Sequence, residues 1–153
     1  MKKIDIDKAE IRRGSRYPAP FHETGMDKVR SRLGHAAGLS QFGVNLLTLN
    51  PGVWSSQRHW HTRDEEFVFV VEGEVVLITD AGEEVLRAGD CAGFKAGDPD
   101  GHHIINRSDR PARVLEIGTD HEDDVCDYPD LDMRATDKGY EHRDGTLYPV
   151  RKG

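Results

Sequence analysis

Four residues of this chain have the types and spacing to hold a metal ion: His59, His61, Glu66 and His102. Three of them stand in "HWHTRDEEFVFVVEGE", residues 59–74. Side chains alternate between faces along an extended segment, so His59 and His61 point one way and Trp60 the other. The polar "TRDE" then bends the chain, and Glu66 opens an apolar strand from which its carboxylate can point back at the same space. Glu65 is expected to face away. Downstream, "GHHIIN" sets His102, Ile104 and Asn106 on one face and His103 and Ile105 on the other. With the strand of His102 beside that of His59, three imidazoles and a carboxylate converge. Such a set suits one divalent transition metal ion, Fe(II), Mn(II), Ni(II) or Zn(II). A buried carboxylate with no partner would be costly or would take up a proton, and a bound ion removes that cost.

Other polar residues have weaker claims. His103 is the rival of His102 as a ligand. Gln57 shares strand parity with His59, which leaves it either lining the pocket as a substrate contact or bonding a loop. Asn106 reads as a structural amide in the turn after its strand, and Asn45 as a core amide satisfied by backbone in preference to a pocket polar group. His22, His35, His121 and His142 lie in the terminal segments, where solvent exposure is expected. Trp54 and Trp60 are expected to pack against a sheet or a second subunit. Cys91 and Cys126 lack C-x-x-C spacing and read as free thiols, Cys91 as a small apolar filler. No G-x-S-x-G, phosphate-binding loop or dinucleotide glycine pattern competes.

The elements that must position these groups are short strands. Runs rich in Val, Leu, Ile and Phe alternate with Gly- and Asp-containing turns such as "NPG", "EGE", "DAGEE" and "RAGD". Strands are expected near 42–49, 53–60, 66–72, 75–79, 84–87, 91–94, 102–106 and 112–118. Many strands with no helical period between them mean an all-β fold, a small β-barrel or jelly roll. One domain of 153 residues is expected. Residues 1–40 read as an irregular arm with a short helical turn or edge strand, 41–118 as the barrel, and 119–153 as a tail. Seven of the thirteen residues from Asp120 to Asp132 are acidic, yet "YPDLDM", Tyr140, Leu147 and Tyr148 give the tail anchors to wrap back over the body.

Charge narrows the partners. The net charge is −7, but residues 1–35 carry nine bases against five acids, while 36–117 carry seven against thirteen and 118–153 five against ten. An acidic body argues against nucleic acid, and the basic arm reads as solvated. No apolar run approaches the roughly 20 residues of a membrane span, and "MKKIDIDKAEIRRG" lacks an apolar signal core, so the cytoplasm is the expected compartment. An exposed strand edge needs covering, which predicts a homodimer.

The chain resembles the cupins, small β-barrel proteins with two motifs. Gly52, His59, His61, Glu66 and Gly73 follow G-x5-H-x-H-x3–4-E-x6-G, with six residues after Gly52 instead of five. Gly89, Gly97, His102 and Asn106 follow G-x5-P-x-G-x2-H-x3-N, with Lys95 in place of proline and two extra residues before His102. Segments outside 52–106 resemble a bacterial subgroup of single-domain cupins of unassigned activity. The resemblance implies a metal held by His59, His61, Glu66 and His102, and a reaction of isomerase, lyase, decarboxylase or dioxygenase type. Four protein ligands leave an octahedral ion two open positions for a small polar, sugar-like or carboxylated metabolite. Glu66 is then both ligand and candidate proton shuttle. The alternative is a non-catalytic binding or sensing module. A purely structural ion is disfavoured, since such sites are closed and rich in Cys while this set contains no thiol.

Overall fold

The computed structural model describes residues 3–151, and among them thirteen strands, one short α-helix and two 3-10 turns form. The first segment supplies β1 (Ile11–Arg13), β2 (Lys28–Ser31) and α1 (Leu33–Ala36). The middle supplies β3 (Phe42–Leu49), β4 (Trp60–His61), β5 (Glu66–Glu72), β6 (Glu74–Thr79), β7 (Gly82–Arg87), β8 (Cys91–Phe94), β9 (His103–Ile105) and β10 (Ala112–Thr119). The tail adds β11 (Cys126–Tyr128), β12 (Met133–Thr136) and β13 (Gly139–Glu141). They form antiparallel sheets of order β1-β2-β3-β10-β5-β8, β7-β6-β9 and β13-β12-β11-β4.

Strict alternation on β5 explains the layering. Phe67, Phe69 and Val71 face outward, whereas Val70 on the other face is fully buried. Leu47, Leu49, Val70, Ala112 and Val114 of the first sheet meet Val75, Leu77 and Ile104 of the second to form the core. Enclosing a side chain such as Leu47 stabilises the fold by about 2 kcal/mol relative to leaving it in water. The inward rows change character along β10. Val114 stands beside Leu47 and Val70, Glu116 beside Asn45 and Val68, and Gly118 beside Gly43 and Glu66. The interior thus runs from aliphatic at the closed end to polar at the mouth.

Two expectations need correcting, and a third is filled in. Residues 53–60 do not form a continuous strand; the segment is held by single bridges, Trp54 to Ile105 and His59 to His102, before the two-residue β4. The reason is local. Lys28 Nζ takes the Ser55 carbonyl (2.6 Å), so the Ile104 N–H bonds the Ser55 hydroxyl instead (3.1 Å). The first segment holds the short helix and the edge strand expected of it, and β1 and β2 extend the main sheet from the edge of β3. Cys91 is exposed, not a core filler; it lies opposite Phe69 on the outer face.

The tail does wrap back. On β11, Cys126 pairs with His61 and Asp127 with Trp60. Tyr17, Cys126, Tyr128 and Met133 form a second apolar cluster that joins first segment to tail. Gly101 marks how closely the tail approaches: a Cβ there would lie 2.8 Å from the Pro129 ring. Among the described residues, no helix is long and apolar enough to cross a membrane.

Candidate metal centre

The bridge between His59 and His102, and the pairing of β4 with β11, put three rings at the mouth of the barrel opposite the first residue of β5. Glu66 Oε2 lies 2.7 Å from His102 Nε2, 3.3 Å from His59 Nε2 and 3.7 Å from His61 Nε2. The four sequence-predicted residues are therefore brought together. Donors about 2.1 Å from one ion and at right angles to each other lie about 3 Å apart; His59, Glu66 and His102 are grouped closely enough for a single cation, with His61 at the edge of the set.

The outer hydrogen bonds orient the rings. His59 Nδ1–H donates to the Gln57 carbonyl (2.9 Å), and His61 Nδ1–H donates to Asp124 Oδ2 (2.5 Å). Both leave Nε2 as the atom aimed inward. The Phe94 ring lies flat on His102, with centroids 3.5 Å apart and planes 2° from parallel, which fixes the third ring.

Electrostatics follow from burial and proximity. Burial alone would raise the Glu66 carboxyl, but the bonds from His102 and His59 outweigh it and hold the group well below its ordinary range. Burial, the largest influence, lowers His102 and outweighs the Glu66 bond that would raise it, so the ring is kept neutral. Asp124 is also held low, since the His61 bond and the N–H groups of Arg63 and Asp64 overcome its burial.

Other assignments resolve around this centre. His103 turns away: its ring meets Trp54 edge-on at 4.7 Å and its Nδ1–H donates to the Ser56 carbonyl. Asn106 is structural, donating to the Leu49 and Arg110 carbonyls from full burial. Gln57 does not line the cavity. Its amide donates to the Phe21 carbonyl and Thr24 Oγ1, so it serves the site through its own carbonyl on His59. Asn45, expected as a core amide, instead lines the cavity.

Two neighbours were not foreseen. Asp124 is one, hidden in the acidic run. The other is Cys126, whose Sγ lies within 4.8 Å of ligand atoms of His59 and His61. The site is therefore not free of thiol, as the four sequence-predicted residues alone suggested. Burial pushes the Cys126 thiol up, keeping it protonated.

The centre opens into a cavity of about 800 Å³, within the roughly 300–1,000 Å³ of small-molecule sites. Tyr17, Tyr128 and Tyr140 line one wall, and Lys28, Arg30 and Glu116 another. Among the described residues His59, Glu66 and His102 form one potential ligand triad, and His59, His61 and Cys126 another.

Comparison with known proteins agrees with this geometry. Residues 45–118 match the cupin domain. The chain is similar to a sugar phosphate isomerase of the cupin superfamily from Silicibacter pomeroyi: identity is 44 %, coverage 97 % of this chain and 98 % of that one, and TM-score 0.91. A protein from Acidithiobacillus ferrooxidans, provisionally given the same activity, is 29 % identical over 82 % of both chains, with TM-score 0.72. A polyketide cyclase from Streptomyces resistomycificus shares the fold alone, at 19 % identity over 78 % of this chain and 79 % of that one, with TM-score 0.64. No curated protein matches. With one motif pair around a histidine-lined mouth, and nearly its whole length aligned to a solved member, the chain belongs to the cupin superfamily.

Proposed function

We propose that the protein is a metal-dependent sugar phosphate isomerase in which His59, His61, Glu66 and His102 hold one divalent transition metal ion, Fe, Mn, Ni or Zn. The observation that carries this reading is the likeness to the Silicibacter protein named for that activity, over nearly the whole chain. A bound ion would supply Lewis-acid polarisation of a substrate oxygen. The chain's own groups do the rest. Glu66 stays charged and keeps Oε1 free of protein hydrogen bonds among the described residues, so it can accept a proton from a substrate carbon. The tyrosine wall offers hydroxyl donors to sugar oxygens, and Phe94 shields one face of His102 from water.

The test begins with protein purified without a histidine tag, whose metal is identified by anomalous scattering at absorption edges. The metal-loaded protein is then incubated in deuterium oxide with aldose and ketose phosphates. Interconversion with deuterium uptake at the carbon beside the carbonyl, abolished by chelation, is the expected result. Ligand-induced thermal shifts without turnover on any member would favour the sensor instead, and oxygen uptake with iron bound would favour a dioxygenase.

The same reading includes a homodimer. Phe67, Phe69 and Val71 leave a row of apolar side chains on the outer face of β5, each more than a third exposed, and a second copy would cover them. Light scattering should give twice the 17.2 kDa chain mass, and a clean monomer overturns this.

A further inference from the structure

The alternation K-V-R-S-R at 28–32 gives β2 a basic inner face. Lys28 lies opposite Leu49 and Arg30 opposite Leu47, both inward residues of β3, so the two bases share the cavity face. Their charges are handled differently. Arg30 is neutralised by a two-pronged bond to Glu116, at 2.8 and 3.1 Å. Lys28 is only 6 % exposed, yet it makes no ion pair among the described residues; its ammonium donates to the Ser55 carbonyl and sits 5.8 Å from the Tyr17 ring centre. A buried ammonium has three protons to place, and a carbonyl takes one. Arg16 lines the same cavity, is exposed, and also makes no ion pair among the described residues.

From this we infer that Lys28, with Arg16 at the rim, is the anion subsite of the cavity and holds the phosphoryl group of a substrate whose sugar end reaches the His59–His61–Glu66–His102 cluster. The inference rests on the sugar phosphate reading and adds the residues that select for the phosphate. Burying an uncompensated cation is costly without a counter-charge, and a phosphoryl dianion provides it through charge-assisted hydrogen bonds. Burial first, then Arg30 and Arg16, lower Lys28 to about 8, and an anion beside it relieves that crowding. The basic first segment is therefore not a solvated arm but the cavity's positive wall, set in an otherwise acidic chain.

Calorimetric titration of the metal-loaded protein with ribose 5-phosphate, ribose and inorganic phosphate tests this. Ribose 5-phosphate should bind at least tenfold more tightly than ribose. Lys28→Gln should weaken inorganic phosphate and ribose 5-phosphate roughly ten- to hundredfold, as expected for a hydrogen bond to a charged group, with ribose affinity and metal content unchanged. Lys28→Arg, which keeps the charge, should retain phosphate binding. Should Lys28→Gln fail to fold, the surface variant Arg16→Ala decides, with a several-fold loss for phosphate expected. Equal binding of ribose and its phosphate, or phosphate affinity unmoved by these variants, overturns the inference. Phosphate held through Lys28 without interconversion leaves the subsite standing and removes the isomerase. Interconversion that is indifferent to Lys28 does the reverse.

Discussion

His61→Ala should abolish tight metal binding, while His142→Ala should leave it intact. His61 supplies one of the three imidazoles gathered on Glu66 Oε2, and so one of four proposed ligands. Apparent binding energies of four-ligand sites are roughly 10–16 kcal/mol. Loss of one donor in four then removes about 3 kcal/mol, a hundredfold or more in affinity. His142 is a fair control because its ring stacks on Tyr148 at 3.8 Å and its Nδ1–H donates to Asp132, outside the cavity lining. Elemental analysis and competition with a chromophoric chelator read the result. A His61→Ala protein with full metal occupancy removes the site assignment. Cys126 sharpens the measurement, since its Sγ lies near the vacated position. Any residual cobalt(II) bound by His61→Ala should show thiolate charge-transfer absorption that vanishes in His61→Ala/Cys126→Ser.

The ligands were legible and their supports were not, for a physical reason. His59 and His61 declare a shared face because strand periodicity is two, and Glu66 follows one turn later on a strand whose alternation is plain. The bounds of β3, β5, β8 and β10 follow from the same pattern. Asp124 offered no comparable signal. It stands in a run of acids that composition reads as solvated, and its partner His61 is 63 positions away. Cys126 reaches the site only through the pairing of β11 with β4, a long-range register with no local mark. Lys28 and Arg30 were hidden differently: their alternation is visible, but period alone does not say which face is buried, and charged residues default to the outside. The broken strand at 53–60 follows from the same lysine, which claims the Ser55 carbonyl that a continuous ladder would use.

Asp124→Asn should lower metal affinity ten- to hundredfold, the usual effect of losing a carboxylate behind a ligating histidine. Asp124 accepts from four donors: His61 Nδ1–H at Oδ2, and the Thr62 hydroxyl (3.3 Å) and the backbone N–H groups of Arg63 (2.8 Å) and Asp64 (3.1 Å) at Oδ1. A carboxylate can do this because it is acceptor-only. An amide cannot. If its oxygen stays on the two backbone donors, its NH2 faces His61 Nδ1 and forces that atom to accept. The proton then moves to Nε2, the atom that must bind metal. If the amide turns over, its NH2 confronts two N–H groups and the loop from 62 to 65 loses its anchor. Either outcome costs affinity, and the first does so without unfolding anything. Asp124 is thus a positioning residue, and the informative readout is metal affinity in a protein whose metal-free melting temperature is little changed. Because Asp124 is held below its ordinary range, it is charged throughout neutral pH. Its contribution is lost only as pH falls through that depressed value, so the ratio between variant and parent should stay flat from pH 6 to 8, a window in the sense of about two units above the carboxylate range. Unchanged affinity in a folded Asp124→Asn protein would mean that His61 is oriented by packing alone.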